Sequence, residues 1–196
     1  MNTLEAIMTR RSTRSYSAAA VESDKLQKII EAGRYAPSGG NNQTNHFLVV
    51  QNPEVLKKLA ALAESAFAKM EVTPETYSSL KSSILLSKKG GYVFYYNAPV
   101  LIIVANQKNY GNNLADCAVA VENMMIAAND LNLGSCWINQ LHWLTEDEKI
   151  LAYLREIGLT ENERVYASMV VGYAKSADGL PVRKSLPRKG NVVTFV

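Results

Sequence analysis

Apolar positions recur along this chain with helical and strand periods in turn, and that alternation lays out its elements. Leu4, Ile7 and Met8 share one helical face behind an Asn2 or Thr3 cap, and this short helix runs into the basic loop Arg10-Arg-Ser-Thr-Arg14. A second helix starts at a Ser23 cap with Leu26, Ile29 and Ile30 turned inward. Ala36-Pro37 closes it, because the residue before a proline avoids helical backbone angles. Ser38-Gly-Gly-Asn-Asn42 is then a loop, and His46–Gln51 reads as a strand. Asn52-Pro53 caps a helix with Val55, Leu56, Leu59 and Leu62 on one face. The pattern weakens over residues 65–92, where Pro74 predicts a helix start and Lys88-Lys-Gly-Gly91 a mobile connection.

Beyond Pro99, Val100–Val104 is apolar on both faces, which predicts a central strand. The longest helical period spans about Leu114 to Leu131, with Leu114, Cys117, Ala118, Val121, Met124, Met125, Ala128 and Leu131 spaced by threes and fours. Asn132 and Gly134 are expected to end it through left-handed backbone. Ser135–Ile138 is a short strand, Thr145-Glu-Asp-Glu148 a capping box for a helix that stops at Gly158, and Tyr166–Val171 the last core strand. From Lys175 the chain turns polar, yet it closes on Val192-Val-Thr-Phe-Val196, an apolar end expected to dock on a second copy. Strands separated by helices, without repeats, predict one α+β (α/β layered) domain over residues 1–196, with 175–196 as an extended C-terminal arm.

Composition narrows the function. With 47% hydrophobic and 20% charged residues the chain is globular, and the longest apolar run, Ala98–Ala105, falls far short of the roughly 20 residues that span a bilayer. Neither a membrane span nor a secretory apolar stretch is present, so a cytoplasmic protein is expected. Cys117 and Cys136 are too far apart for a thiol redox pair and are expected to stay reduced; Cys136 reads as a small buried hydrophobe. The net charge of +3 is too small to argue for nucleic acid. It is unevenly placed: +2 in the first 17 residues, +4 in the last 22, and −3 in the 157 between.

Most catalytic kits fail on inventory. Two histidines, His46 and His142, one in a strand and one expected in a loop, leave little for a triad or a metal site. No Walker loop, nucleophile elbow or Rossmann glycine pattern occurs, so a bound cofactor would have to carry the chemistry. Two segments stand out. Arg10-Arg-Ser-Thr-Arg14 is either a solvated charged face or a set of bidentate donors for phosphate or ring carbonyls. Ala36-Pro-Ser-Gly-Gly-Asn-Asn-Gln43 is either an ordinary turn or a place where backbone approaches a ligand.

Taken together with Leu133-Gly-Ser-Cys-Trp-Ile138 and Pro187-Arg-Lys189, these segments resemble the nitroreductase family of flavoproteins, in family order and across the whole chain. Thr44-Asn45 stands where relatives often have Pro-Trp, and Asn139 lies near the position of a glutamate in longer members. The resemblance implies a mainly antiparallel sheet flanked by helices, in an intertwined homodimer with the C-terminal arm on the partner. Each chain would share two FMN molecules with the other. Arg10 and Ser12 would meet the phosphate end, Arg14 the pyrimidine edge, and Arg11 would add contacts. Pro37, Ser38, Gly39 and Asn41 would reach the cofactor from the partner, Cys136, Trp137 and Asn139 would line the ring, and Arg188 and Lys189 would close on the phosphate. The implied activity is ping-pong hydride transfer from NADH or NADPH, through flavin N5, to a nitroaromatic, quinone or similar small-molecule acceptor, with no catalytic side chain and no metal. Flavin destruction, reductive dehalogenation or flavin binding without turnover are its alternatives.

Overall fold

Four strands, β1 (His46–Val50), β2 (Val100–Gln107), β3 (Gly134–Trp137) and β4 (Glu163–Gly172), pair antiparallel in the order β1-β2-β4-β3 in the computed structural model, which describes residues 1–196. Seven helices flank them: α1 (Thr3–Thr9), α2 (Ser23–Arg34), α3 (Pro53–Ala68), α4 (Ser78–Lys89), α5 (Asn113–Asp130), α6 (Gln140–Trp143) and α7 (Glu148–Glu156). The α+β layering read from the sequence is therefore what the chain adopts. β2 shows why both its faces are apolar. Leu101, Ile103 and Ala105 point into a core shared with α3, α4, α6 and α7, while Val100, Ile102 and Val104 point into a second core shared with α2 and α5. Alternation on a strand buried from both sides makes Val100–Ala105 apolar throughout, and the one buried polar residue, Asn106, comes near its end and donates to Asn45. Each fully buried Leu or Ile there contributes about 1.5–3 kcal/mol.

Local chemistry sets the ends of the elements, and several differ from expectation. Asn2 caps α1, accepting the Glu5 N–H at 2.9 Å, and Asn52 caps α3 in the same way through Glu54. The predicted Ser23 cap is displaced: Glu22 is the capping position, and its carboxylate is taken by the Tyr173 hydroxyl at 2.7 Å. Pro74 does not start a helix, because Thr73 and Thr76 close a turn and delay α4 to Ser78. Lys88 and Lys89 are the last turn of α4 rather than a connection, and the break falls on Gly90 and Gly91, both at positive φ. The capping box at Thr145 is replaced by Asp147, which accepts the Lys149 and Ile150 N–H groups; the Thr145 hydroxyl is spent on the His142 carbonyl. His142 sits on α6, half-buried, with Nδ1 3.1 Å from the Val165 carbonyl, and not in a loop. Asn132 does end α5 in a left-handed conformation (φ 64°), but Gly134 is extended and opens β3.

The two ends of the chain behave differently from its middle. In α1 it is Ala6 that is buried, while Leu4, Ile7 and Met8 face out at 69, 44 and 56% exposure. Residues 184–196 lie exposed along their whole length, Phe195 among them.

Candidate functional site

After α1 the chain runs extended along the free edge of β3. Thr13 donates its N–H to the Ser135 carbonyl at 2.8 Å, Ser12 bridges Ser135 in parallel, and Ser17 N–H reaches the Tyr173 carbonyl at 2.9 Å. β3 is an edge strand with unpaired backbone groups, and this segment covers them. The seam needs Gly134, because a Cβ there would lie 2.6–2.8 Å from the Thr13 side chain. Its consequence is chemical: Arg10, Ser12 and Arg14 come to stand beside Cys136, on the strand that leads into Trp137 and Asn139. The Cys136 thiol records the neighbourhood. Burial pushes its pKa up, while Arg14, a hydrogen bond to Ser12, and Arg10 pull it back. Trp137 gives its indole N–H to the Asn139 side-chain oxygen, which fixes both groups at the end of β3. Arg14 is exposed, whereas Arg10 is half-buried and lies 3.7 Å from the Glu122 carboxylate.

Arg11 points elsewhere. Its Nε donates to the Lys184 carbonyl at 2.7 Å, its Nη1 to the Arg10 carbonyl, and its Nη2 is buried without a partner. This residue ties the root of the C-terminal arm to the N-terminal segment.

The second segment, with Pro37, Ser38, Gly39 and Asn41, is a tight loop held on α5. Gly39 donates its N–H to both carboxylate oxygens of Asp116 at 3.2 Å, and its carbonyl lies 2.9 Å from the Tyr110 hydroxyl. Gly40, Asn41 and Gln43 all have positive φ. Two bonds hold that shape: Ser38 Oγ accepts the Gln43 N–H at 3.0 Å, and Asn41 Oδ1 accepts from Gln43 Nε2 at 3.1 Å. Because Ser38 Oγ is an acceptor inside the loop, its own proton remains to donate outward. Below the loop, Asn45 donates to the Asp116 carbonyl and accepts from Asn106. The Cys117 thiol, buried and next to the Asp116 carboxylate, is pushed up to about 12, so it is an inert neutral group.

The structure brings the first group together and keeps the second apart from it. The loop is anchored at Asp116 in the first turn of α5. α1 docks at the other end, where Asn129 donates to the Ala6 carbonyl at 3.0 Å. Thirteen residues of helix, about 20 Å, separate these anchors, and Arg10 stands between them beside Glu122, about 9 Å along the axis from Asp116. Arg188 and Lys189 lie exposed on the arm and join neither group. Just before them, Arg183 caps the C-terminal end of α5, donating to Asn129 and Asn132. An apolar cavity of about 360 Å³ lined by Leu56, Tyr95 and Val100 is touched by none of these residues.

Tyr110, Asp116, Asn45 and Arg183 were not anticipated. A signal existed for one of them: Asp116 is a charge on the apolar stripe of α5, where a carboxylate survives only with dedicated donors.

Comparison with known proteins follows the same outline. The nitroreductase family model matches residues 7–173. An Archaeoglobus fulgidus protein provisionally named an NADH dehydrogenase/NAD(P)H nitroreductase is 30% identical over 177 residues, covering 88% of this chain and 85% of that protein. A Bacteroides fragilis nitroreductase solved with bound FMN superposes with a TM-score of 0.86 at 36% identity, all of each chain being covered. A Desulfitobacterium hafniense nitroreductase, also with bound FMN, gives 0.81 at 25% identity with both chains fully covered. A match across most of the length, with sheet order and motifs in place, establishes that this chain belongs to the nitroreductase family.

Proposed function

We propose that this protein is an FMN-dependent oxidoreductase that takes a hydride from NADH or NADPH and passes electrons, in a ping-pong cycle, to a nitroaromatic, quinone or similar conjugated acceptor. Bound FMN supplies the redox chemistry by exchanging hydride at N5. The observation that carries the reading is the seam along β3, which sets two guanidinium groups and a hydroxyl beside Cys136, on the strand that leads into Trp137 and Asn139. That donor set fits the group: Arg10 and Ser12 suit a phosphate, and Arg14 suits the carbonyl edge of a ring that gains negative charge on reduction. The chain contributes orientation, a dry face along β3 and fixed positive charge, and no side chain acts as nucleophile or general base.

The reading extends to a homodimer. Pro37, Ser38, Gly39 and Asn41 belong to a loop anchored on Asp116 at the start of α5, not to the β3 seam that carries Arg10 and Arg14, and they serve the cofactor on a second copy. That copy also covers Leu4, Ile7, Met8 and Tyr35, which border a groove of about 440 Å³ between α1, α2 and α5 or stand beside it. The arm brings Arg188, Lys189 and its apolar end onto the partner, and Arg11 holds its root. No helix is long and apolar enough to cross a membrane, and a cytoplasmic setting suits reduced Cys117 and Cys136. Purified protein is expected to be yellow, and NADH or NADPH to bleach it until an acceptor restores the colour. A colourless preparation that takes up no added FMN overturns the proposal.

A further inference from the structure

We propose that Asp116 and Tyr110 are positioning residues, a buried clamp that holds the 37–43 loop in the one shape able to grip FMN seated on a second copy of the chain. This rests on the function proposed above and extends it to two residues that lie behind the loop rather than in it.

The clamp commits both protons at its centre, the Gly39 N–H and the Tyr110 O–H, to the Asp116 carboxylate and the Gly39 carbonyl. Asp116 is only 5% exposed, yet its carboxylate meets the Gly39 N–H with both oxygens at 3.2 Å and the Tyr110 hydroxyl at 2.9 Å. The same hydroxyl lies 2.9 Å from the Gly39 carbonyl, so its single proton serves two acceptors. Gly39 therefore has both its backbone N–H and its C=O held from within the chain, and the peptide planes on either side of it cannot turn. Position 116 is in the first turn of α5, where the helix dipole favours a negative charge.

Space is as restricted as bonding. A Cβ on Gly39 would fall 2.0 Å from Asn112 Nδ2 and 2.5 Å from the Tyr110 hydroxyl oxygen. Asn41 and Gln43 hold left-handed conformations that side chains seldom adopt unless the surroundings over-determine them. Core packing does not need this arrangement, since the stripe of α5 around Asp116 is otherwise apolar. Nor does the carboxylate suit direct contact with the cofactor, whose phosphate it would repel. Its lone pairs face Gly39 and Tyr110, so Asp116 acts through the loop: with Gly39 fixed, the Ser38 hydroxyl and the Asn41 amide are presented outward at a set spacing.

The test compares full-length wild type with Asp116→Asn and Tyr110→Phe, reading the FMN dissociation constant and the visible circular dichroism of flavin at saturating FMN. Losing a charge-assisted hydrogen bond to Gly39 is expected to weaken FMN binding about tenfold or more in Asp116→Asn, and by about threefold to tenfold in Tyr110→Phe. The flavin dichroism is expected to change in both. A residue that only stabilises the fold lowers the thermal midpoint but leaves these two readings alone, so wild-type values of either one in both variants overturn the clamp. If Asp116→Asn does not fold, Tyr110→Phe decides, since it removes one oxygen from a ring that otherwise stays in place. Wild type that binds no FMN sinks the proposed function and the clamp together, whereas wild type that binds while both variants match it sinks the clamp alone.

Discussion

The 37–43 loop and the 184–196 tail both serve the cofactor in the function proposed above, and they are built in opposite ways. The loop is short, polar and locked, with Gly39 held at both backbone groups and Gln43 returning to Ser38. The tail is long, ends in apolar residues, and touches its own chain only at its root through Arg183 and the Lys184 carbonyl. A loop that must present groups at fixed spacing settles its conformation within one protomer. A tail that carries Val192, Val193 and Phe195 in the open, at 89, 71 and 93% exposure, leaves its apolar surface unburied within its own chain, and the proposed homodimer gives that surface a place on the partner. One segment stores information as hydrogen bonds and the other as unburied area.

The strongest way to break that contrast is to remove the tail. Deleting residues 180–196 is expected to give a monomer by sedimentation and to abolish retained FMN; a truncated chain that stays dimeric and fully yellow contradicts it. Attacking the lock comes next. Gly39→Ala forces Asn112 and Tyr110 aside at a cost of about 1–3 kcal/mol. The loss is expected in FMN affinity, measured by recovery of flavin fluorescence on dilution, with the dimer intact. Arg183→Ala loosens only the root of the tail. Losing its bonds to Asn129 and Asn132 should cost about 1–2 kcal/mol, a fall in Tm of about 2–8 °C.

The smallest effect belongs to His46, next to Asn45 at the base of the loop, whose Nδ1 lies 2.9 Å from Glu163 Oε2. Burial pushes the Glu163 carboxyl up, but hydrogen bonds from His46 and Thr160 more than offset this and hold it below its ordinary value of 4.5. A carboxyl lowered on folding adds stability that is complete above that value and lost as pH falls through the folded pKa. Glu163→Gln should therefore flatten the acid limb of Tm against pH between about pH 5 and 3. A variant curve that superimposes on wild type shows the pair contributes nothing to the loop's footing.

Legibility followed the range of the forces involved. The periods that mark α5 and β2 are local, and both elements stand within two or three residues of where the pattern puts them. The Thr145 cap failed because a distant residue competed for the same group, Arg164 donating to the hydroxyl whose own proton goes to His142, whereas Ser23 is already the first helical residue and leaves the capping position to Glu22. Gly134 was expected to turn the chain and instead makes room for Thr13, a residue 121 positions away whose approach no local pattern announces. Leu4, Ile7 and Met8 were correctly placed on one face, but only packing shows that the face looks outward.

By itself, then, the sequence determined the layered α+β order, the family, and the polar and cationic segments from which the proposed flavin site is built. Hydrophobic periodicity and backbone-restricting residues act over a few positions and need no partner to be read. Tertiary structure alone decided which of those segments meet. It joined Arg10, Ser12 and Arg14 to β3, anchored the 37–43 loop separately on the first turn of α5, and put Asp116 and Tyr110 behind that loop. Such contacts cross the chain from end to end, and a buried carboxylate or an exposed apolar face acquires meaning only when what lies opposite it is known.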